Sequence, residues 1–279
     1  MRGGADDFCK KLPSPHKTII IFMRFLTLYS GSGGNAAYVE TERASIIIDA
    51  GKNARRLCTA LSEVGSSIDR IDAIFITHDH ADHTSALEIL AKKHRIPIHM
   101  TERSAEIFED DRFSVLRESI VTHPPLFEVR VGDITVRSFL TSHDSRMSVG
   151  YRIDTDGGIS LGLATDLGYV TSGVHDALLG CRAVILESNH DVDMLWHGPY
   201  PRFLKERILS KKGHLSNEDS SLLAASLAEN GTRNFLLAHL SAENNTPSHA
   251  LDAFLSAVAD PSVQVLVARA DEPTELLLG

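Results

Sequence analysis

The segment Ile74-Phe-Ile-Thr-His-Asp-His-Ala-Asp-His83 places three histidines and two carboxylates directly behind a short apolar run. Imidazole and carboxylate are ligands for zinc, manganese or iron, and a cluster this dense is costly to hold together unless a cation binds it. In an extended loop His78 and His80 point the same way, because side chains repeat every two residues. Asp82 and His83 then fall where a helix can begin, since residues 84–92 have helical character. A surface turn that happens to be rich in histidine is the bland alternative, and residues downstream argue against it.

His143 in Thr-Ser-His-Asp-Ser, Asp166 in Ala-Thr-Asp-Leu-Gly and His239 in Leu-Ala-His-Leu-Ser each follow an apolar strand at its C-terminal edge. Any one of them alone is more often a satisfied structural residue than a ligand. Together with His78, His80, Asp82 and His83 they make seven N and O donors from four strand ends. That is too many for one tetrahedral ion and suits two divalent ions sharing a carboxylate. Two such ions lower the pKa of a bridging water until hydroxide is available near neutral pH, so the expected chemistry is hydrolysis by a metal-bridging hydroxide. Neither a Gly-x-Ser-x-Gly elbow nor a Cys-His pair offers a protein nucleophile instead. His214, in Gly-His-Leu-Ser-Asn, is the candidate to protonate a leaving alkoxide, against the plainer role of a histidine between two helices. Asn189 and His190, in Glu-Ser-Asn-His-Asp, are weaker candidates for substrate contact, because that turn also suits helix capping.

These side chains need elements to carry them to one place. Apolar alternation and turn residues predict strands over 25–29, 36–40 and 44–48, a helix over 53–64 and an apolar strand over 73–76 that runs into the His-rich loop. A second run of strands is predicted over 127–131, 134–140, 149–153 and 159–164, with hairpin turns at Gly132-Asp133 and Asp156-Gly157-Gly158. Further on, strands over 183–186 and 235–238 alternate with helices over 173–179, 201–212, 217–229 and 247–258. Strands in hairpin-linked runs with helices between them favour an α+β fold, two packed sheets with helices outside; the early meander contradicts a doubly wound parallel sheet. No low-complexity linker divides the chain, so residues 23–279 are expected to form one domain, and residues 1–22 a loosely ordered extension or an overlong start.

The bulk composition narrows the partners. Of the 279 residues 43% are apolar and 23% charged, ordinary for a globular protein with a sizeable core. The net charge of −9 repels nucleic acid unless basic residues or metal ions reverse it locally. Arg202, Lys205, Arg207, Lys211 and Lys212, opposed in their stretch only by Glu206, could do so against a phosphate backbone, with Arg202 and Lys205 the named candidates. The plainer account is that Lys211 and Lys212 complement a helix C-terminus. Trp196 and Tyr200 nearby are placed to stack on bases, although a buried aromatic anchor is the commoner role. Cys9, Cys58 and Cys181 are far apart and suggest neither a disulfide framework nor a zinc-thiolate site, which fits a reducing cytoplasm. The apolar run over 18–23 is far short of the roughly 20 residues that span a bilayer, so no membrane partner is expected.

With these residues in view, the chain resembles the metallo-β-lactamase fold superfamily. The signature His-x-His-x-Asp-His appears as His78-Asp79-His80-Ala81-Asp82-His83. Asp49, after Ile46-Ile47-Ile48, matches the first family motif, His143 the third, Asp166 the fourth and His239 the fifth. The segments Ser30-Gly-Ser-Gly-Gly-Asn35, Glu187-Ser-Asn-His-Asp191, Gly198-Pro-Tyr-Pro201, Gly213-His-Leu-Ser-Asn217 and His239-Leu-Ser-Ala-Glu-Asn-Asn245 resemble the WalJ/YycJ-type group, associated with exonuclease action on DNA. The resemblance implies a four-layer αββα sandwich holding two divalent ions, zinc or manganese with iron a third candidate. It implies that His78, His80 and His143 hold one ion, Asp82, His83 and His239 the other, and that Asp166 bridges. Asp49 would orient the His loop through hydrogen bonds. The implied substrate is DNA or a small phosphodiester. A hydrolase of a thioester, lactone or cyclic phosphodiester is the alternative, and a non-hydrolytic metal-binding protein a second.

Overall fold

Ile46, Ile47 and Ile48 stand in one short strand, where alternation sends the first and third to one side and the second to the other. All three are fully buried. Strands of this kind need cover on both faces, and that requirement shapes the whole architecture. The computed structural model describes residues 23–278; the expected extension over 1–22 lies outside the described residues.

The first sheet carries β1 (Met23–Tyr29), β2 (Ala36–Thr41), β3 (Ser45–Ile48), β4 (Ala73–Phe75), β5 (Ile98–Thr101) and β6 (Ile120–His123) in that order. The second carries β7 (Glu128–Val131), β8 (Ile134–Leu140), β9 (Val149–Thr155), β10 (Ser160–Ala164), β11 (Ala183–Glu187), β12 (Asn234–Ala238) and β13 (Gln264–Val267), again in sequence order. A last strand, β14 (Thr274–Leu276), returns to pair with β1. Each sheet begins as an antiparallel meander and becomes parallel, from β3 to β6 in one and from β10 to β13 in the other. Parallel neighbours end on the same edge, so the residues after β3 and β4, and those after β10, β11 and β12, emerge together.

The helices are α1 (Ala54–Glu63), α2 (Ala81–Thr84), α3 (Leu87–His94), α4 (Glu102–Ala105), α5 (Ser114–Arg117), α6 (Ser172–Leu178), α7 (Val192–His197), α8 (Arg202–Ile208), α9 (Asn217–Glu229) and α10 (Pro247–Ala257). Three apolar cores separate four layers. Ile47, Ile74 and Leu28 meet Leu57 and Leu61 of α1 and Leu87 and Leu90 of α3. Ile46, Ile48 and Phe75 meet Val136, Tyr151, Leu163 and Ile185 between the sheets. Val184, Leu186 and Phe235 meet Leu178 of α6, Leu227 of α9 and Phe254 of α10. The fold is the expected α+β sandwich, helices outside and sheets within.

The departures from expectation are local. Strands β5, β6, β13 and β14 fall in stretches where no element is expected; β13 and β6 are half exposed, so their alternation is weak. The single helix expected over 84–92 is two, α2 and α3, broken at Ser85 and Ala86. The helix expected over 201–212 ends at Ile208, which leaves Lys211 and Lys212 beyond it, and α7 precedes it unannounced.

Candidate metal centre

Asp49 follows β3 with a left-handed backbone (φ 64°), which aims its carboxylate across at the neighbouring strand end. Its Oδ1 accepts a hydrogen bond from the Thr77 N–H at 2.8 Å, and its Oδ2 accepts from His83 Nδ1 at 2.8 Å. The Thr77 hydroxyl donates to Asp49 Oδ2 at 2.9 Å and lies 3.0 Å from His78 Nδ1. With the hydroxyl proton committed to the carboxylate, His78 Nδ1 donates and His78 Nε2 is left as the lone-pair atom. His78 Nε2 lies 3.0 Å from His80 Nδ1. Asp49 thus bonds both the backbone and hydroxyl of Thr77 and the His83 ring within the His loop.

Gly51 lets the loop come this close. The Asp82 carbonyl accepts the Asn35 N–H at 2.8 Å, and a Cβ on Gly51 would stand 1.5 Å from that carbonyl oxygen. Gly51 is thus a close-approach residue. The second sheet grips the same loop from its other side, with the Val149 N–H donating to the Thr77 carbonyl and the Tyr151 hydroxyl to the Ile76 carbonyl at 2.6 Å.

From the second sheet the donors arrive one at a time. His143, after β8, bonds the Gly213 carbonyl through Nδ1 at 3.0 Å, which turns Nε2 toward Asp166 Oδ1 at 3.7 Å. Asp166, after β10, and His239, after β12, are both left-handed (φ 59° and 57°). That conformation costs an L-residue about 1–2 kcal/mol and here swings both side chains inward. His239 Nδ1 donates to Glu187 Oε1 at 3.0 Å, with Nε2 4.0 Å from Asp82 Oδ2. Asp166 Oδ2 is 3.4 Å from His83 Nε2, so its two oxygens face the two halves of the cluster.

Donor atoms within 4.8 Å of one another form the groups His78, His80, His143; Asp82, His83, His239; His78, His83, Asp166; and Asp166, Glu187, His214, His239. The first two coincide with the ligand sets the resemblance implied, and Asp166 lies with members of both. The fit to cations shows in the unsatisfied atoms: Asp166 Oδ2 and His239 Nε2 are buried without a hydrogen-bond partner and face the cluster. Buried acceptors left this way are costly unless a cation takes them. Burial alone would raise the Asp82 carboxyl, but the hydrogen bond and charge of His83 outweigh it and bring it to about 2. Burial pushes His78 well down, and the neighbouring imidazoles push it further, so it presents a neutral ring suited to ligation. The clustered donors suit divalent metal ions.

Beside the cluster lies a cleft of about 170 Å³ lined by residues that include Ser32, Asn189, Tyr200, Arg207, His214 and Ser241. His214 Nδ1 donates to Glu187 Oε1 at 2.8 Å. Burial lowers the His214 imidazole, yet the Glu187 charge and hydrogen bond raise it to about 9. Glu187 Oε2 accepts from the N–H groups of Leu167 and Leu215 at 2.6 and 3.2 Å. This carboxylate is the functional residue that the sequence reasoning missed. Its signal was a lone acid closing the apolar strand Ala183–Glu187.

The remaining candidates divide. Asn189 lines the cleft and donates from Nδ2 to the His239 carbonyl at 2.8 Å. His190 does not reach it: its ring is buried with neither nitrogen partnered, and the Asn217 N–H to His190 carbonyl bond holds that stretch beneath the wall. Arg202 projects into solvent and pairs with Glu206, while Lys205 donates to the carbonyls of Trp196 and Gly198, so neither basic side chain is directed at the cleft.

A family model described as the beta-lactamase superfamily domain matches residues 44–240. Over 229 residues the chain is 35% identical to exodeoxyribonuclease WalJ of Streptococcus pneumoniae, covering 81% of this chain and 84% of that one. Over 231 residues it is 35% identical to exodeoxyribonuclease YycJ of Bacillus anthracis, covering 80% and 84%. Among solved structures, the metallo-β-lactamase fold protein YhfI of Bacillus subtilis superposes with a TM-score of 0.67 at 17% identity, covering 91% of this chain and 99% of that one.

Proposed function

The chain belongs to the metallo-β-lactamase fold superfamily, in its WalJ/YycJ-type group, and is a metal-dependent hydrolase; on that premise we propose that it is a binuclear phosphodiesterase acting on DNA as an exonuclease. The observation that carries this reading is the junction of the donor cluster with the hydrogen-bonded His214–Glu187 pair at the cleft. His78, His80 and His143 would hold one divalent ion, zinc or manganese, and Asp82, His83 and His239 the other, with Asp166 shared. Ions bound there supply Lewis-acid activation of water and offset charge on the phosphoryl oxygens.

The chain's own residues do the rest. Glu187 holds the His214 ring through Nδ1 at the edge of the cleft, where it would protonate the departing alkoxide. Glu187 also fixes the His239 ring, which ties the proton donor and a ligand to one carboxylate. A cytoplasmic setting belongs to the same reading, and the free thiols of Cys58 and Cys181 agree with it. The test is an assay of metal-loaded protein on end-labelled single- and double-stranded DNA beside bis(p-nitrophenyl) phosphate and a thioester. Cleavage of DNA and the diester, lost in Asp82→Ala, is expected. Turnover of the thioester with DNA untouched would replace this reading by a small-molecule hydrolase.

A further inference from the structure

The loop Ser30-Gly-Ser-Gly-Gly-Asn35 joins β1 to β2 and supplies none of the proposed ligands. Its two ends nevertheless meet the ligands of one ion from opposite sheets. At its start the Ser30 hydroxyl oxygen accepts the His239 N–H at 2.8 Å. At its end the Asn35 N–H donates to the Asp82 carbonyl at 2.8 Å, and the Asn35 carbonyl accepts the Gly51 N–H at 2.9 Å. Gly34 permits that approach: its φ is 143°, and a Cβ there would stand 3.0 Å from the Gly51 carbonyl oxygen.

The Asn35 side chain is buried, and its hydrogen bonds settle which end of the amide points where. Oδ1 accepts the Gly31 N–H at 2.9 Å, and Nδ2 donates to the Gly31 carbonyl at 3.1 Å. Closing the turn therefore accounts for the amide oxygen and one amide hydrogen. The turn has no use for the second hydrogen. Nδ2 lies 3.1 Å from His83 Nε2 and 3.4 Å from Asp82 Oδ2, two donor atoms of the same proposed ion. A cation on the His83 Nε2 lone pair leaves that hydrogen to Asp82 Oδ2, because a carboxylate oxygen has lone pairs for both an ion and an N–H. The ligands of the other proposed ion are held elsewhere, His78 through the Thr77 hydroxyl and His143 through the Gly213 carbonyl.

We propose that Asn35 is a positioning residue for one ion of the pair: its second amide hydrogen holds Asp82 Oδ2 beside His83 Nε2, while Ser30 ties His239 to the same loop. The glycine-rich loop is then a clasp that closes the Asp82, His83 and His239 site across the two sheets, and the His78, His80 and His143 site stands without it. The inference rests on the two-ion reading of the centre and adds that the two sites can be separated by a substitution that removes no ligand. Residues that hold ligands in this way change metal affinity by about 10–100-fold.

The test starts from the cobalt(II)-loaded full-length protein, from which cobalt is drawn by rising concentrations of a chelator. Visible absorption and bound cobalt per chain are followed together. The unsubstituted protein should release two equivalents. In Asn35→Ala one equivalent should keep its Kd and its absorption, and the other should bind about 10–100-fold more weakly, with excess cobalt restoring its absorption. Ser30→Ala should weaken the same equivalent. Gly33→Ala lies in the same loop with open space around the added methyl and should leave both unmoved. In a His239→Ala protein, which lacks a ligand of the clasped site, adding Asn35→Ala should not change the Kd of the remaining equivalent. Two unchanged equivalents in Asn35→Ala, or two weakened alike, overturn the inference. If Asn35→Ala does not fold, Ser30→Ala decides, and unchanged binding there overturns it. An unsubstituted protein that holds fewer than two equivalents removes the two-ion reading itself, whereas two equivalents indifferent to the loop remove the clasp alone.

Discussion

The two sheets share a plan, antiparallel meander then parallel strands, yet they supply the candidate centre in opposite ways. The first delivers His78, His80, Asp82 and His83 from one loop after β4, braced by Asp49 from the adjacent strand end. The second delivers His143, Asp166 and His239 from three separate strand ends, and its buried carboxylate, Glu187, braces residues far apart in the chain. A block on one loop stands or falls as a unit. Scattered donors are placed one by one, each at its own backbone cost, as the left-handed Asp166 and His239 show.

The contrast is broken most severely at Gly51. Gly51→Ala drives a methyl into the Asp82 carbonyl and shifts the whole block, so diester hydrolysis should fall to background and metal retention on dialysis should collapse. Next comes His214→Ala, which removes the proposed proton donor and leaves every ligand in place: turnover of DNA should drop about 10²–10⁴-fold with metal content unchanged. Parallel loss of metal would instead make His214 a ligand.

The two bracing carboxylates sharpen the comparison. Glu187→Gln should lower activity about 10–100-fold, and its effect should not add to that of His214→Ala, because the two residues act as one unit. Asp49→Asn should weaken metal affinity by a factor at the lower end of that same range, about 10-fold, and restore full turnover once metal is supplied in excess. If both substitutions behaved alike, the distinction between a brace within a block and a brace linking a ligand to the proton donor would fail.

The same contrast explains what the sequence made legible. A contiguous block of histidines and acids after an apolar strand can be read directly, because alternation along an extended loop is a local rule. His143, Asp166 and His239 became interpretable only as a set, since their convergence depends on sheet order. Glu187 was hidden: its partners His214 and His239 are 27 and 52 residues away, and an acid closing a strand ordinarily faces water. The need for glycine at position 51 was hidden too, because nothing local shows that Asp82 will press against it. His190 read as available because its turn is polar, while the pairing of its backbone with the start of α9 decides that it is buried. The central strands were legible from their apolar runs, but β5, β6, β13 and β14 were not, being held by neighbours more than by their own pattern.

The claim beneath all of this is that the two sheets converge on a shared pair of divalent ions. It is tested most directly by counting tightly held zinc and manganese per chain, by plasma mass spectrometry, in the unsubstituted protein and in Asp166→Ala. The account predicts two ions per chain, reduced in Asp166→Ala, where each half loses the carboxylate that faces both. A chain that retains no divalent ion under any loading condition, or an Asp166→Ala protein that keeps its full complement, would contradict it.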